Sequence, residues 1–161
     1  MEPERFPAVK PGPGAVYAKD TEARIAAVLA DNLSRVPGIQ GLNNHMGSKF
    51  TGNARAVELF VRALSKKGLF IVDSLTSPRS KLYQTAERMG IKAYRRDVFL
   101  DDVSDRASIR HELDKAARLA QSQGQALAIG HPRPETLAVL KEWLKSNKAR
   151  GVVFCRLQDL N

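Results

Sequence analysis

Gly68-Leu69-Phe70-Ile71-Val72-Asp73-Ser74 decides how this chain of 161 residues is read. Leu69 to Val72 is an unbroken apolar run. Without polar alternation, such a run reads as a short strand covered on both faces, the habit of parallel sheets. Asp73-Ser74 then puts titratable and hydrogen-bonding groups at the carboxyl end of that strand. Upstream, Asn53 to Lys67 sets Val57, Phe60, Val61 and Leu64 on one helical stripe, closed by Gly68. Downstream, Ser77-Pro78 supplies an N-cap residue and a proline at the first helical position. Leu82, Ala86 and Met89 continue that helix to Gly90. The stretch is therefore one beat of an alternating helix and strand rhythm.

The rhythm extends both ways. Thr21 caps a helix with Ile25, Val28, Leu29, Leu33 and Val36 on one face, stopped by Pro37-Gly38. Ile39 to Leu42 reads as a strand, and Ile91 to Tyr94 as a weaker one. A helix from about Ser104 to Gln123 carries Ile109, Leu113, Ala116 and Ala120. Ala126 to Ile129 is a further strand. Pro134 to Lys145 is a helix with Leu137, Leu140 and Leu144 inward, and Val152 to Cys155 is the last strand. Five strands alternating with five helices predict an α/β fold with a parallel sheet. Five suit an open doubly wound sheet and fall short of the eight of a standard barrel. Residues 1–18, rich in proline, form an irregular leader, and 19–161 read as a single domain.

Composition narrows the function. Hydrophobic residues make up 43% and charged residues 27%, which suits a globular domain and excludes a disordered tail. No apolar run is long enough for a transmembrane segment, and the first residues carry no export-signal pattern. The net charge of +9 favours anionic partners. Lys66-Lys67, Lys92, Arg95-Arg96, Lys141 and Lys145 are scattered, however, and do not form a basic arm. Aromatic residues are only 6% and do not interleave with the basic ones, so no nucleic-acid partner is expected. The single Cys155 excludes an internal disulfide and a cysteine zinc site, and its apolar run predicts a buried, inert thiol.

Open α/β sheets place their chemistry outside the carboxyl ends of the strands. Here those ends carry Asn43-Asn44-His45-Met46-Gly47-Ser48, Asp73-Ser74, Arg96-Asp97 and Gly130-His131. The opposite ends carry Gly38, Gly68, Gly90, Gly124 and Gly151. Each polar residue has a plain structural alternative: His45 bonding its own loop, His131 ending a strand, Asp73 capping a turn, Asp97 pairing with Arg96. Their gathering on one face favours a site. Two histidines offer neutral imidazole, the commonest zinc ligand. No nucleophile elbow, P-loop or dinucleotide fingerprint competes. The third histidine, His111, lies among polar helical neighbours and reads as solvated surface.

These residues carry a resemblance. Asn43 to Thr51, Val72-Asp73-Ser74, Arg96 to Asp101 and Ile129-Gly130-His131-Pro132, together with Met1-Glu2-Pro3 and Pro11-Gly12-Pro13, resemble the divergent polysaccharide deacetylase family. The resemblance implies part of an irregular (β/α) barrel that hydrolyses acetyl groups on a carbohydrate by metal-bound water. His45 matches the first histidine of the family's ligand motif, and His131 matches its late, acid histidine. The implied cofactor is a divalent metal, zinc, held by His45 and His131. With the strand-end residues added, the expected catalytic set is His131, Asp97 and Asp73, with Asn44, Ser48, Ser74 and Arg96 as substrate contacts, all on one face. The implied partner is an acetylated glycan, and the implied place is the periplasm or cell envelope. Three departures stand out. Lys49 occupies the place of the motif's second histidine, and Leu75 stands where the family usually shows arginine. The family's first strands and paired aspartates are expected upstream of Met1. The chain is accordingly read as a truncated domain with impaired catalysis. Its exposed sheet edge at Ile39 to Leu42 would invite self-association. The alternative is a non-catalytic glycan-binding or envelope module on the same fold.

Overall fold

The computed structural model describes residues 1–147 and 151–160. Contacts divide the chain into two compact units, Met1–Arg95 and Arg96–Asn161, each with its own apolar core.

In the first unit, β1 (Gly41–Asn43), β2 (Phe70–Asp73) and β3 (Ala93–Arg95) form a parallel sheet in the order β1-β2-β3. Helices α1 (Glu22–Ser34), α2 (Ser48–Gly52), α3 (Ala54–Ser65) and α4 (Leu82–Arg88) alternate with the strands. Local chemistry fixes the helix starts. Thr21 Oγ1 accepts the Arg24 N–H, and Asn53 Oδ1 accepts the Ala56 N–H, each satisfying a donor that helix geometry leaves over. The apolar stripe of α3, Ala56, Val57, Phe60, Val61 and Leu64, is buried against Ile25, Val28 and Leu29 of α1, with Phe50 and Ile71. Gly41 faces Phe70 across the sheet, and a Cβ there would meet the Phe70 ring at 2.2 Å, so only glycine fits. The leader is irregular but packed. Val16 is buried, and Glu2 donates its N–H to the Val16 carbonyl while its carboxylate accepts the Ala18 N–H.

Thr51 offers a direct test of this core. Its Oγ1 is fully buried on α2 with no hydrogen-bond partner among the described residues. A buried, unsatisfied hydroxyl costs about 1–3 kcal/mol. Thr51→Val keeps the branched shape and removes the hydroxyl, so urea denaturation is expected to show a gain of about 1 kcal/mol. A loss of stability would mean that the hydroxyl has a partner.

In the second unit, β4 (Val98–Phe99) and β5 (Ala128–Ile129) pair in parallel, linked by α5 (Arg106–Gln123) and followed by α6 (Pro134–Asn147). Asp105 caps α5, its Oδ1 accepting the Ala107 and Ser108 N–H groups. Val98, Leu100, Ile109, Leu113, Ala117, Val139 and Trp143 make the core. Arg106 and Arg110 of α5 bind Glu135 and Glu142 of α6 across the outer surface.

Several sequence expectations need correction. Helix α4 starts at Leu82, not at Ser77-Pro78; Ser77 is instead buried and accepts the Arg79 N–H within a turn. The two-residue β4 lies beyond Asp97, where no strand was expected. Val152 to Cys155 has strand composition but is irregular, with Val153 87% and Phe154 57% exposed. Cys155 is accordingly exposed, not a buried thiol. On α6 the inward stripe is Thr136, Val139 and Trp143, and Leu137 and Leu144 face out. Trp143 decides that rotation: it is the largest buried side chain, and its Nε1 donates to Asp114 Oδ1 at 2.7 Å.

Candidate functional site

The register of the second sheet builds its polar end. Val98 faces Ala128 and Phe99 faces Ile129. Carried one pair beyond Leu100 and Gly130, the same register sets Asp101 beside His131. Asp101 is completely buried, and its Oδ2 accepts the His131 N–H and the Thr136 hydroxyl, each at 2.8 Å. Its Oδ1 lies 2.9 Å from His131 Nδ1. Burial pushes the Asp101 carboxyl up, but the His131 N–H, the His131 ring and the Thr136 hydroxyl outweigh it and hold the carboxyl below its usual range. The imidazole thus has its inner nitrogen fixed, while the side chain stays 35% exposed. Phe99 flanks it, ring centroids 5.5 Å apart, and the Arg96 guanidinium lies over the Phe99 ring, 5.1 Å from its centroid. Arg133 Nη1 donates to the Asp101 carbonyl at 2.9 Å and to Ser104 Oγ at 2.7 Å.

Asp97 sits at the opposite end of β4. Its Oδ2 accepts the Leu127 N–H at 2.8 Å, which fixes the entry to β5. That is a strand-pairing role.

The first unit has its own polar end. Asn44 is buried; its Oδ1 accepts the Ser74 N–H at 2.7 Å, and its Nδ2 donates to the Met46 carbonyl. Asn43 Nδ2 donates to Ser74 Oγ at 3.0 Å. Asp73 is buried and accepts three hydrogen bonds, from Leu75 N–H, Ser80 Oγ and Tyr83 N–H. It therefore ties β2 to the first turn of α4. The Leu75 N–H bond holds that residue at φ 49°, a left-handed conformation that non-glycine residues seldom adopt. Ser48 Oγ accepts the Glu4 N–H, so this hydroxyl anchors the leader. His45 is exposed, and its carbonyl accepts from the Met1 amino group. Lys49, in the place of the second motif histidine, binds the buried Glu2 carboxylate at 2.9 Å. Burial pushes Glu2 up, and the Lys49 and Ala18 bonds with the Lys49 charge pull it lower overall.

Asp73→Ala removes the acceptor of all three groups. Leaving buried donors unmet costs about 1–3 kcal/mol each, partly relieved by water at the less buried ones. Chemical denaturation is expected to show a loss of about 3 kcal/mol. A loss under about 1 kcal/mol would show that Asp73 is not a structural anchor.

The sequence-predicted residues thus divide between the units. Asn44, His45, Ser48, Asp73 and Ser74 belong to the first; Arg96, Asp97 and His131 belong to the second. Among the described residues, no three His, Cys, Asp or Glu side chains gather where they could hold a metal ion. A catalytic zinc commonly takes three protein ligands. Among the described residues no such three-ligand group accompanies the zinc expected at His45 and His131. Sequence reasoning missed Asp101, Thr136 and Arg133 as site residues. Asp101 was visible at the end of the Arg96 to Asp101 motif, but only the β4–β5 register reveals its pairing with His131.

A family model described as divergent polysaccharide deacetylase matches residues 1–161, the whole chain. The chain belongs to that family. Among curated proteins, the uncharacterised Escherichia coli protein YibQ is 37% identical over 118 residues, which are 73% of this chain and 37% of YibQ. An uncharacterised Haemophilus influenzae protein is 39% identical over 106 residues, 66% of this chain and 38% of that protein. The chain therefore spans under two fifths of the length of these relatives. The crystal structure of an uncharacterised Agrobacterium tumefaciens protein superposes with a TM-score of 0.89 at 28% identity, over 93% of this chain and 61% of that one. The α/β fold with parallel strands and alternating helices agrees with that divergent deacetylase membership. No helix among the described residues is long and apolar enough to cross a membrane.

Proposed function

We propose that this divergent polysaccharide deacetylase chain acts in removing acetyl groups from a carbohydrate, with His131 as the proton-transferring residue and Asp101 as the residue that holds it. The observation that carries the reading is the Asp101–His131 pair. An acyl-group hydrolysis needs a group that protonates the departing amine or alcohol, and histidine is the side chain best matched to neutral pH. With Nδ1–H given to the Asp101 carboxylate, proton exchange falls to Nε2. Asp101 favours that tautomer and fixes the ring's orientation. Phe99 gives the ring an apolar wall. The ligands of a metal are not gathered among the described residues, so the reading rests on proton transfer and positioning alone.

That no three candidate ligands gather among the described residues favours a second reading, a glycan-binding module that performs no turnover. Acetate release from acetylated oligosaccharides, measured beside calorimetric binding of the same compounds, separates the two. Release by this chain is the expected result for the first reading. Binding without release supports the second. Neither binding nor release overturns both.

A further inference from the structure

Arg133 is an exposed cation with an unusual setting. Its Nη1 is pinned by two neutral acceptors, the Asp101 carbonyl at 2.9 Å and Ser104 Oγ at 2.7 Å. Among the described residues, no carboxylate forms an ion pair with it, whereas Arg106 and Arg110 of the same unit are both neutralised by glutamates. Its backbone N–H donates to the His131 carbonyl at 2.8 Å, and its guanidinium binds the backbone of Asp101, the residue that holds the imidazole. The Asp101 carboxylate does not neutralise it, because that charge is directed at His131 and Thr136. Phe99 packs against the His131 ring, with centroids 5.5 Å apart. Guanidinium held by a single nitrogen keeps its remaining N–H groups in the planar fork that matches a carboxylate or phosphate.

We propose that Arg133 is a specificity residue that selects a glycan bearing an anionic oxygen group, a uronate carboxylate or a phosphate, close to the acetylated position. The proposal rests on the glycan reading above and narrows its substrate class. The chain's net charge of +9 acts in the same direction, drawing an anionic polymer towards the surface before Arg133 fixes it. Arg133 takes no part in proton transfer; it sets which sugar lies against His131.

The test is calorimetric binding of three acetylated oligosaccharides: a neutral one, one carrying uronic acids and one carrying phosphate. The wild-type chain is expected to bind at least one anionic compound about tenfold or more tightly than the neutral one, the scale of a charge-assisted hydrogen bond. The anionic compound that binds identifies the group. Arg133→Gln should remove most of that preference and leave neutral binding within about twofold, while Arg133→Lys retains part of it. Equal affinity for neutral and anionic compounds in the wild type overturns the proposal and leaves the glycan reading standing. An Arg133→Gln loss of the same size for all three compounds also overturns it, since that marks a structural role. Failure to bind any of the three overturns both the proposal and the glycan reading.

Discussion

Asp101→Ala is expected to destabilise the Arg96–Asn161 unit by about 3 kcal/mol, more than any other single polar truncation in that unit. The carboxylate is completely buried and accepts from three groups, the His131 N–H, the His131 ring and the Thr136 hydroxyl. Removing it leaves the Thr136 hydroxyl, itself buried, without its acceptor. His131 can turn to water, which limits the cost. Thr136→Val deletes only one of the three bonds and should cost about 1 kcal/mol. Asp101→Asn adds a pH signature. The Asp101 carboxyl titrates below its ordinary range in the fold, so the unfolded chain binds that proton first as the solution is acidified. The stability from its charge is therefore complete above the ordinary carboxylate value of about 4 and is lost as pH falls through the folded value. Denaturation curves of wild type and Asp101→Asn should lie apart at pH 7 and converge in acid. Curves that keep a constant separation down to strong acid would show that the charge of Asp101 is not what holds the unit.

Much of this architecture is legible in the sequence, and particular residues show why. The apolar run ending at Val72 becomes β2 because a strand buried on both faces has no polar side chain to misplace. Thr21 and Asn53 mark the starts of α1 and α3 because their side-chain oxygens bond backbone N–H groups locally, and local chemistry is readable. Pairing between distant residues is not. Val152 to Cys155 has the composition of a strand, but composition cannot supply a neighbour, and the segment stays irregular. On α6, two apolar stripes compete at helical spacing; the Trp143 bond to Asp114 selects one and turns Leu137 and Leu144 outward. The candidate site divides in the same way. His131 was marked by its place after a strand. Asp97 and Asp101 are both acidic residues of one motif, and only the register of β4 on β5 assigns the first to the Leu127 amide and the second to the imidazole. Lys49 stands where the resemblance led us to expect a histidine, and only the packed leader reveals its partner, the buried Glu2 carboxylate.

The second large effect concerns the proton transfer proposed for His131. His131→Gln preserves the size and one hydrogen bond of the side chain but cannot carry a proton at neutral pH. General acid–base groups contribute about 10²–10⁴-fold to turnover, so acetate release should fall by that factor. Folding should be little changed, because His131 is partly exposed and Asp101 keeps the Thr136 hydroxyl and the backbone N–H of residue 131. Asp97→Asn is the matched control. Its Oδ2 serves the Leu127 amide at the far end of β4, and an asparagine carbonyl can still accept that bond. The most direct measurement is acetate release from one acetylated oligosaccharide by the wild type, His131→Gln and Asp97→Asn at equal folded concentration. The account predicts a loss of about 100-fold or more for His131→Gln and a rate within about threefold of wild type for Asp97→Asn. Undiminished release by His131→Gln, or a collapse confined to Asp97→Asn, would contradict it.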